Sequence, residues 1–310
     1  MPPGRAPRAW SGPLRPSNSR RPLRSDAVPG IAYDPSRTAL YSPERRETLF
    51  DPGLSYTPTQ WAIEAARLAY YRAETSEAER RRLTEALRHA GFGAPELIAH
   101  AESHGFAFAA LHADGSALIA FRGTQPDEIR DLATNLQAHQ VDWPESGGRV
   151  HAGFARAARA LWPAVREWAE GQAAGRSALI MTGHSLGGAL ATLVATLLPP
   201  TLLVTLGSPR VGNTEFVAAL ADVEIVRLVD GCDLVTQLPP AFSLYAHAGA
   251  TSYITCAGEC LHNPDVGFIE SDRAQGRARY VIDHAWRRGA VLLRDLADHA
   301  PINYARAYFG

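Results

Sequence analysis

The sequence has 310 residues, of which 46% are hydrophobic, so it can bury one large core, and we expect one large domain with an appendage. The 31 basic and 32 acidic residues give a formal net charge of -1. Global electrostatics therefore indicates no nucleic acid, anionic membrane or polyanionic substrate as a partner.

The N-terminal 30 residues are rich in Pro and Arg and contain no apolar run that could form the core of a signal peptide. Ser19-Arg20-Arg21 resembles a twin-arginine signal, but Pro22 and polar residues follow where a hydrophobic segment is required. We expect residues 1–50 to be a disordered extension and residues 51–310 to form the globular domain. Because no signal peptide is recognisable, we favour a cytoplasmic over a secreted protein, and the short apolar stretches predict no transmembrane helix.

Next along the chain, helices are predicted between Ser55 and Gly91. Thr57-Pro58 is a helix start signal within this range. Apolar runs at 105–111 and 116–121 flank a turn and predict a β-hairpin. Helices and strands then alternate, which predicts a mostly parallel sheet with helices on both faces. The predicted helices are 127–138, 153–170, 186–198, 214–221 and 284–296, and the predicted strands are 177–182, 201–206 and 223–229.

The pattern Gly183-His184-Ser185-Leu186-Gly187 lies between an apolar strand and a helix. This placement is typical of a nucleophile elbow, in which glycines permit a tight turn that exposes the serine hydroxyl. The helix N-terminus behind Ser185 favours developing negative charge. An ordinary glycine-rich turn is the structural alternative.

A serine nucleophile needs a histidine base and an acid that orients it. In this fold the acid should follow a later strand, and both Asp230 and Asp233 qualify. Position alone leaves the choice open. The candidate bases are His184, His247, His262, His284 and His299. We expect His184 to point away from the nucleophile, and His299, which follows a helix in a loop, to be favoured over His284.

The three cysteines are Cys232, Cys256 and Cys260, too few for a disulfide-stapled scaffold. A bridge between Cys256 and Cys260 remains open. A metal site at these two residues and His262 is the less favoured alternative to free thiols.

Six motifs in order resemble those of the class 3 lipases, the fungal-lipase-like branch of the α/β-hydrolases. The resemblance extends over residues 55–310, and its motifs are Phe121-Arg122-Gly123-Thr124, Val150-His151-Ala152-Gly153-Phe154, Gly183 to Ala189, Gly207 to Asn213, Asp233 to Pro240 and Asp298-His299.

The resemblance implies an α/β-hydrolase fold in which residues 51–310 are the catalytic domain. It implies Ser185 as nucleophile, Asp233 as acid and His299 as base. It also implies an oxyanion hole formed by Thr124, through its backbone N–H and hydroxyl, and by the backbone N–H of Leu186. Hydrogen-bond donors of this kind stabilise a tetrahedral intermediate by about 3 kcal/mol each.

The family places a lid helix between Gly123 and Val150. Here Ile129, Leu132 and Leu136 share one helical face, which is consistent with an amphipathic lid or with a packed surface helix. Leu132 stands where many relatives have tryptophan, a departure that argues against strong interfacial activation.

The sequence predicts a serine carboxylic-ester hydrolase that needs no metal or organic cofactor. Among such enzymes, a triacylglycerol lipase of lipid metabolism is favoured. Its partner would be a small-molecule or lipid ester, met at a lipid–water interface. A phospholipase A1 or a feruloyl-type esterase would share every catalytic residue, and a non-catalytic interaction protein is the remaining alternative. Oligomeric state is not indicated.

Overall fold

The computed structural model describes residues 30–124, 139–240 and 244–309. The strands in these ranges are β1 (Glu96–His100), β2 (Gly105–Leu111), β3 (Ser116–Phe121), β4 (Gln140–Trp143), β5 (Gly148–His151), β6 (Ala178–His184), β7 (Leu202–Leu206), β8 (Glu224–Asp230), β9 (Thr251–Ile254) and β10 (Cys260–His262). All but β4 and β5, which pair as a separate hairpin, form one sheet.

The central sheet has the order β1-β2-β3-β6-β7-β8-β9-β10 over the described ranges. Strands β3, β6, β7, β8 and β9 run parallel, and antiparallel strands flank them at both edges. Strands β3 and β7 are buried at every position, as expected for strands covered on both faces. The predicted mostly parallel sheet of an α/β-hydrolase is confirmed.

Helices cover both faces of this sheet. They are α1 (Arg37–Tyr41), α2 (Pro58–Leu68), α3 (Glu77–His89), α4 (Ala152–Glu170), α5 (Leu186–Ala195), α6 (Thr214–Ala218), α7 (Val266–Asp283), α8 (Arg294–Ala297) and α9 (Pro301–Ala305). Helix α2 begins with a capping box between Thr57 and Gln60, as the start signal predicts. One core lies between the sheet and helices α2 and α9, and a second lies between the opposite face and helices α4 and α5.

The structure differs from the sequence prediction over residues 30–50, which we expected to be part of a disordered extension. This segment carries α1, and its Leu40 and Phe50 are 2% and 1% exposed within the first core. Tyr33 packs against the same core. The Pro/Arg-rich composition on which the prediction rested belongs to residues 1–29, which lie outside the described ranges.

The predicted helix at 284–296 is wrong. Helix α7 ends at Asp283, and only the short α8 lies within the predicted range. Gly289 has a φ of +88°, and the N–H of Val291 donates to the carbonyl of Pro35 instead of to a helical carbonyl. Contacts with the N-terminal segment therefore replace helical hydrogen bonds here. The sequence did not indicate α7, because only Gly276 and Tyr280 are buried and no apolar stripe forms.

The predicted lid helix at 127–138, with Ile129, Leu132 and Leu136, lies outside the described residues. The described part of the region between Gly123 and Val150 includes the β4–β5 hairpin. Among the helices in the described ranges, none has the length and hydropathy needed to cross a membrane.

Candidate active site

The turn between β6 and α5 holds Ser185 in a backbone conformation that few L-residues adopt, with φ 58° and ψ -128°. The N–H of Ser185 donates to the carbonyl of Leu206 at 2.8 Å, which anchors the turn to the neighbouring strand. A Cβ at Gly187 would lie 2.1 Å from the carbonyl oxygen of Phe121. Glycine at this position is therefore what lets the elbow approach the end of β3.

The structure brings Ser185, His299 and Asp233 together, as the sequence predicts. The Oγ of Ser185 lies 3.0 Å from Nε2 of His299, and Nδ1 of the same ring lies 2.8 Å from Oδ2 of Asp233. Ser185 is 1% exposed and the other two are fully buried. Since the carboxylate accepts from Nδ1–H, Nε2 is free to accept the proton of the serine hydroxyl.

The carboxylate of Asp233 is held by further hydrogen bonds. Its Oδ1 accepts from the N–H of Val235 at 2.8 Å, and its Oδ2 accepts from the hydroxyl of Tyr304. Gly207, with φ +59°, lies against this group, where a Cβ would be 2.8 Å from Oδ2 of Asp233 and 3.1 Å from Nδ1 of His299. The acid is thus fixed in position before any substrate binds.

Asp230, the other candidate acid, forms an ion pair with Arg306. Its Oδ1 accepts from Nη2 of Arg306 at 2.7 Å, and its side chain is fully buried. Burial raises the pKa of Asp230 well above its usual value, although Arg306 opposes the shift. The structure pairs His299 with Asp233 and not with Asp230.

The remaining candidate histidines lie apart from Ser185. His247 donates from Nε2 to the carbonyl of Thr236 at 2.8 Å, His262 is exposed on β10, and His284 caps the C-terminus of α7. The ring of His284 packs against two tyrosines, Tyr33 and Tyr280, at the N-terminal segment. None of these rings has a hydrogen bond to Ser185 within the described residues.

His184 forms a hydrogen bond with the backbone of His299. Its Nε2 lies 2.8 Å from the backbone carbonyl of His299, and its Nδ1 lies 2.8 Å from the hydroxyl of Tyr70. Burial and the neighbouring His299 hold the pKa of His184 well below its usual value, so the ring is neutral. Because a carbonyl can only accept, the proton is on Nε2, and Nδ1 accepts from Tyr70. The sequence led us to expect only that His184 points away from the nucleophile, and it did not indicate this contact with His299.

The residues proposed from sequence for an oxyanion hole flank the elbow. Leu186 is the first residue of α5, so its N–H has no acceptor within the helix. Oγ1 of Thr124 is buried and has no hydrogen-bond partner among the described residues. Gly123 lies so close to the elbow that a Cβ there would be 3.3 Å from Cβ of Ser185. Unused donors beside the serine can bind an oxyanion.

Sequence reasoning missed Tyr70 and Tyr304. Both hydroxyls are buried within hydrogen-bond distance of a histidine or carboxylate of the site. The available signals were weak, because Tyr70 lies 115 positions from Ser185 in a helix-rich region and Tyr304 follows His299 in a short terminal helix.

Cys256 and Cys260 have free thiols, and Cys232 is also free and buried. No group of three or more His, Cys, Asp or Glu side chains suited to a metal ion occurs in residues 30–124, 139–240 and 244–309. The suggested cluster at Cys256, Cys260 and His262 is therefore not assembled as a site.

The chain is similar in sequence to known lipases. The sequence model of the class 3 lipase family matches residues 118–243. A lipase of Rhizopus niveus is 33% identical over an alignment of 152 residues that covers 44% of this chain and 38% of that protein. A lipase of Rhizomucor miehei is 34% identical over an alignment of 153 residues that covers 44% of this chain and 41% of that protein. The chain thus spans about two fifths of the curated relatives it matches.

Solved structures extend the likeness beyond these segments. The native propeptide complex of Rhizomucor miehei lipase superimposes with a TM-score of 0.54 at 26% identity, covering 64% of this chain and 67% of that one. The superposition supports the sheet topology described above.

Proposed function

We propose that the chain is a serine carboxylic-ester hydrolase of the class 3 lipase family, with Ser185 as its nucleophile. The observation that carries the proposal is the continuous hydrogen-bond chain from Oγ of Ser185 through His299 to Asp233, at 3.0 and 2.8 Å. Nucleophile, base and orienting acid in this order constitute the arrangement that acyl transfer requires.

In the acylation step, Nε2 of His299 takes the hydroxyl proton as Oγ of Ser185 attacks the ester carbonyl carbon. The carbonyl oxygen becomes an oxyanion, which the N–H of Leu186 and the N–H and hydroxyl of Thr124 bind. The intermediate collapses when the bond to the leaving alkoxide breaks, and His299 returns the proton to that oxygen. The products are the free alcohol and an acyl-enzyme on Ser185.

In the deacylation step, His299 removes a proton from water as the water oxygen attacks the acyl carbon. Collapse of the second tetrahedral intermediate releases the carboxylic acid, and the proton returns to Oγ of Ser185. Asp233 keeps the proton of the imidazole on Nδ1 and stabilises the imidazolium that forms in both steps.

We propose acylglycerols as the substrate class. Among them we favour triacylglycerols, bound at a lipid–water interface. The relatives of the chain are lipases, and the matched residues include the elbow at Ser185 and the acid Asp233. Triolein, phosphatidylcholine and methyl ferulate should be compared as substrates. Preference for triolein supports the proposal, whereas preference for either other ester assigns the site to a phospholipase A1 or a feruloyl-type esterase.

The catalytic proposal is tested by labelling with a fluorophosphonate and locating the adduct by mass spectrometry. We expect a single adduct on Ser185. His299→Ala should abolish labelling because no base remains, whereas His284→Ala, the matched control, should retain it. Absence of labelling in the wild-type protein would instead indicate a non-catalytic interaction protein.

A further inference from the structure

One buried carboxylate joins the loop that carries Asp233 to the turn that carries His299. Oδ2 of Asp298 accepts from the backbone N–H of Cys232 at 2.8 Å, and Asp298 is fully buried. Cys232 directly precedes the acid, and Asp298 directly precedes the base. The hydrogen bond therefore connects the two loops one residue away from the contact between Asp233 and His299.

The close approach of Asp298 to the loop that carries Asp233 requires a glycine at position 231. Gly231 has a φ of +33°, and a Cβ there would lie 2.6 Å from Oδ2 of Asp298. A second link is parallel to the first, since the N–H of Leu234 donates to the carbonyl of Asp295 at 3.1 Å. Any larger residue at position 231 would push the carboxylate away from the acid loop.

Two side chains hold Asp298 in this position. Nε of Arg294 donates to Oδ2 at 3.0 Å, and the hydroxyl of Tyr33 donates to Oδ1 at 2.7 Å. Burial raises the pKa of Asp298, and Arg294 opposes that shift by favouring the charged form. Each oxygen of the carboxylate therefore has a donor, as a buried carboxylate requires.

Tyr33 is itself fixed by its neighbours in the N-terminal segment. The buried amide of Asn303 clamps the backbone of Asp34, accepting from its N–H at 2.8 Å and donating to its carbonyl at 3.0 Å. The same amide group donates to the carbonyl of Ala297 at 2.9 Å. The N-terminal segment thus contacts the chain on both sides of His299.

We propose that Asp298, held by Tyr33 and Arg294, is the positioning residue that sets the separation between the acid Asp233 and the base His299. Neither Tyr33 nor Asp298 lies within residues 118–243, the part of the chain that matches the family model. The inference rests on the proposed function, because it needs His299 to act as the base. It means that the distance between Asp233 and His299 depends on the hydrogen bond from Tyr33 to Asp298, and Tyr33 belongs to a segment outside the matched region.

The test uses Tyr33→Phe, which removes one hydroxyl and keeps the ring in place. The control is Tyr71→Phe, since the hydroxyl of Tyr71 donates at 2.9 Å to the carbonyl of Arg46 in the same N-terminal region and has no contact with Asp298. For each protein, kcat and KM on a soluble p-nitrophenyl ester are measured per fluorophosphonate-labelled site. The thermal midpoint is measured on the same samples.

We expect Tyr33→Phe to lower kcat about tenfold with KM within about twofold, because misplacing a catalytic group reduces the rate even when binding is intact. Tyr71→Phe should lower the thermal midpoint and leave kcat unchanged. Asp298→Asn should lower kcat further, and adding Tyr33→Phe to it should have no additional effect, since Tyr33 acts through Asp298.

An unchanged kcat in Tyr33→Phe, together with a lower thermal midpoint, would overturn the proposal and leave Tyr33 a purely structural contact. Additive losses of kcat in the double variant would overturn it as well. If the wild-type protein neither labels nor turns over the ester, the proposed function fails instead. That result is distinguishable because it appears before any variant is compared.

Discussion

His184 donates a hydrogen bond from Nε2 to the backbone carbonyl of His299 at 2.8 Å, and the two rings lie 4.5 Å apart between their centroids. The neutral state of His184 is part of this arrangement. A protonated ring would lose its acceptor for the hydroxyl of Tyr70 and would place a positive charge beside the imidazolium that the proposed mechanism forms on His299.

This arrangement predicts a contribution of His184 to the pH dependence of stability. Burial lowers the pKa of the folded His184, whereas the unfolded residue titrates near 6.5. Below that pH the unfolded state binds a proton that the folded state does not, so stability falls as the pH falls. From pH 7.5 to 5.5 the contribution is on the order of 1 kcal/mol.

The measurement is the free energy of unfolding in urea at the two pH values, for the wild-type protein and for His184→Asn. The wild-type protein should lose on the order of 1 kcal/mol more than the variant on acidification. Equal losses in both proteins would show that His184 is not kept neutral by the fold.

The assignment of the acid predicts opposite outcomes for two nearby aspartates. Asp233→Asn should lower kcat by roughly 10⁴-fold, because an amide cannot hold the imidazole in the required tautomer. Asp230→Asn should keep kcat within about tenfold, since Asp230 pairs with Arg306 and not with His299. Steady-state kinetics on a soluble ester checks both, and the reverse ranking would transfer the acid role to Asp230.

The oxyanion role predicts that Thr124→Val lowers kcat by roughly 100-fold, because the variant keeps the shape of the side chain and loses its hydroxyl donor. Thr192→Val is the matched control, since the buried hydroxyl of Thr192 donates to the carbonyl of Gly188 within α5. The control should lose stability and retain kcat. Equal kcat values for the two variants would leave the hydroxyl of Thr124 without a catalytic role.

The sequence predicted those parts of the fold that local pattern determines. Continuous apolar runs located β3 and β7 to within one residue, and the glycines around Ser185 located the elbow, because strand burial and tight turns leave local signatures. Helix α7 was missed since it buries too few residues to show an apolar stripe.

The layer of residues around the candidate site could not be predicted in the same way. Tyr33 meets Asp298 across 265 positions, and Tyr70 meets His184 across 114. Such pairings follow from how helices and loops pack around the sheet, and no periodicity in the sequence encodes them. Choosing Asp233 over Asp230 likewise required the family resemblance, because Asp230 ends β8 and Asp233 follows that strand three residues later.

The most direct measurement of the central claim is turnover of p-nitrophenyl butyrate by Ser185→Ala, with Ser208→Ala as the control. Ser208 is a buried serine whose hydroxyl donates to the carbonyl of Pro209. If Ser185 is the nucleophile, its loss should lower kcat by roughly 10⁴-fold or more, while Ser208→Ala remains within about tenfold of the wild-type rate. A Ser185→Ala protein that is folded and retains more than about a tenth of wild-type turnover would contradict the account.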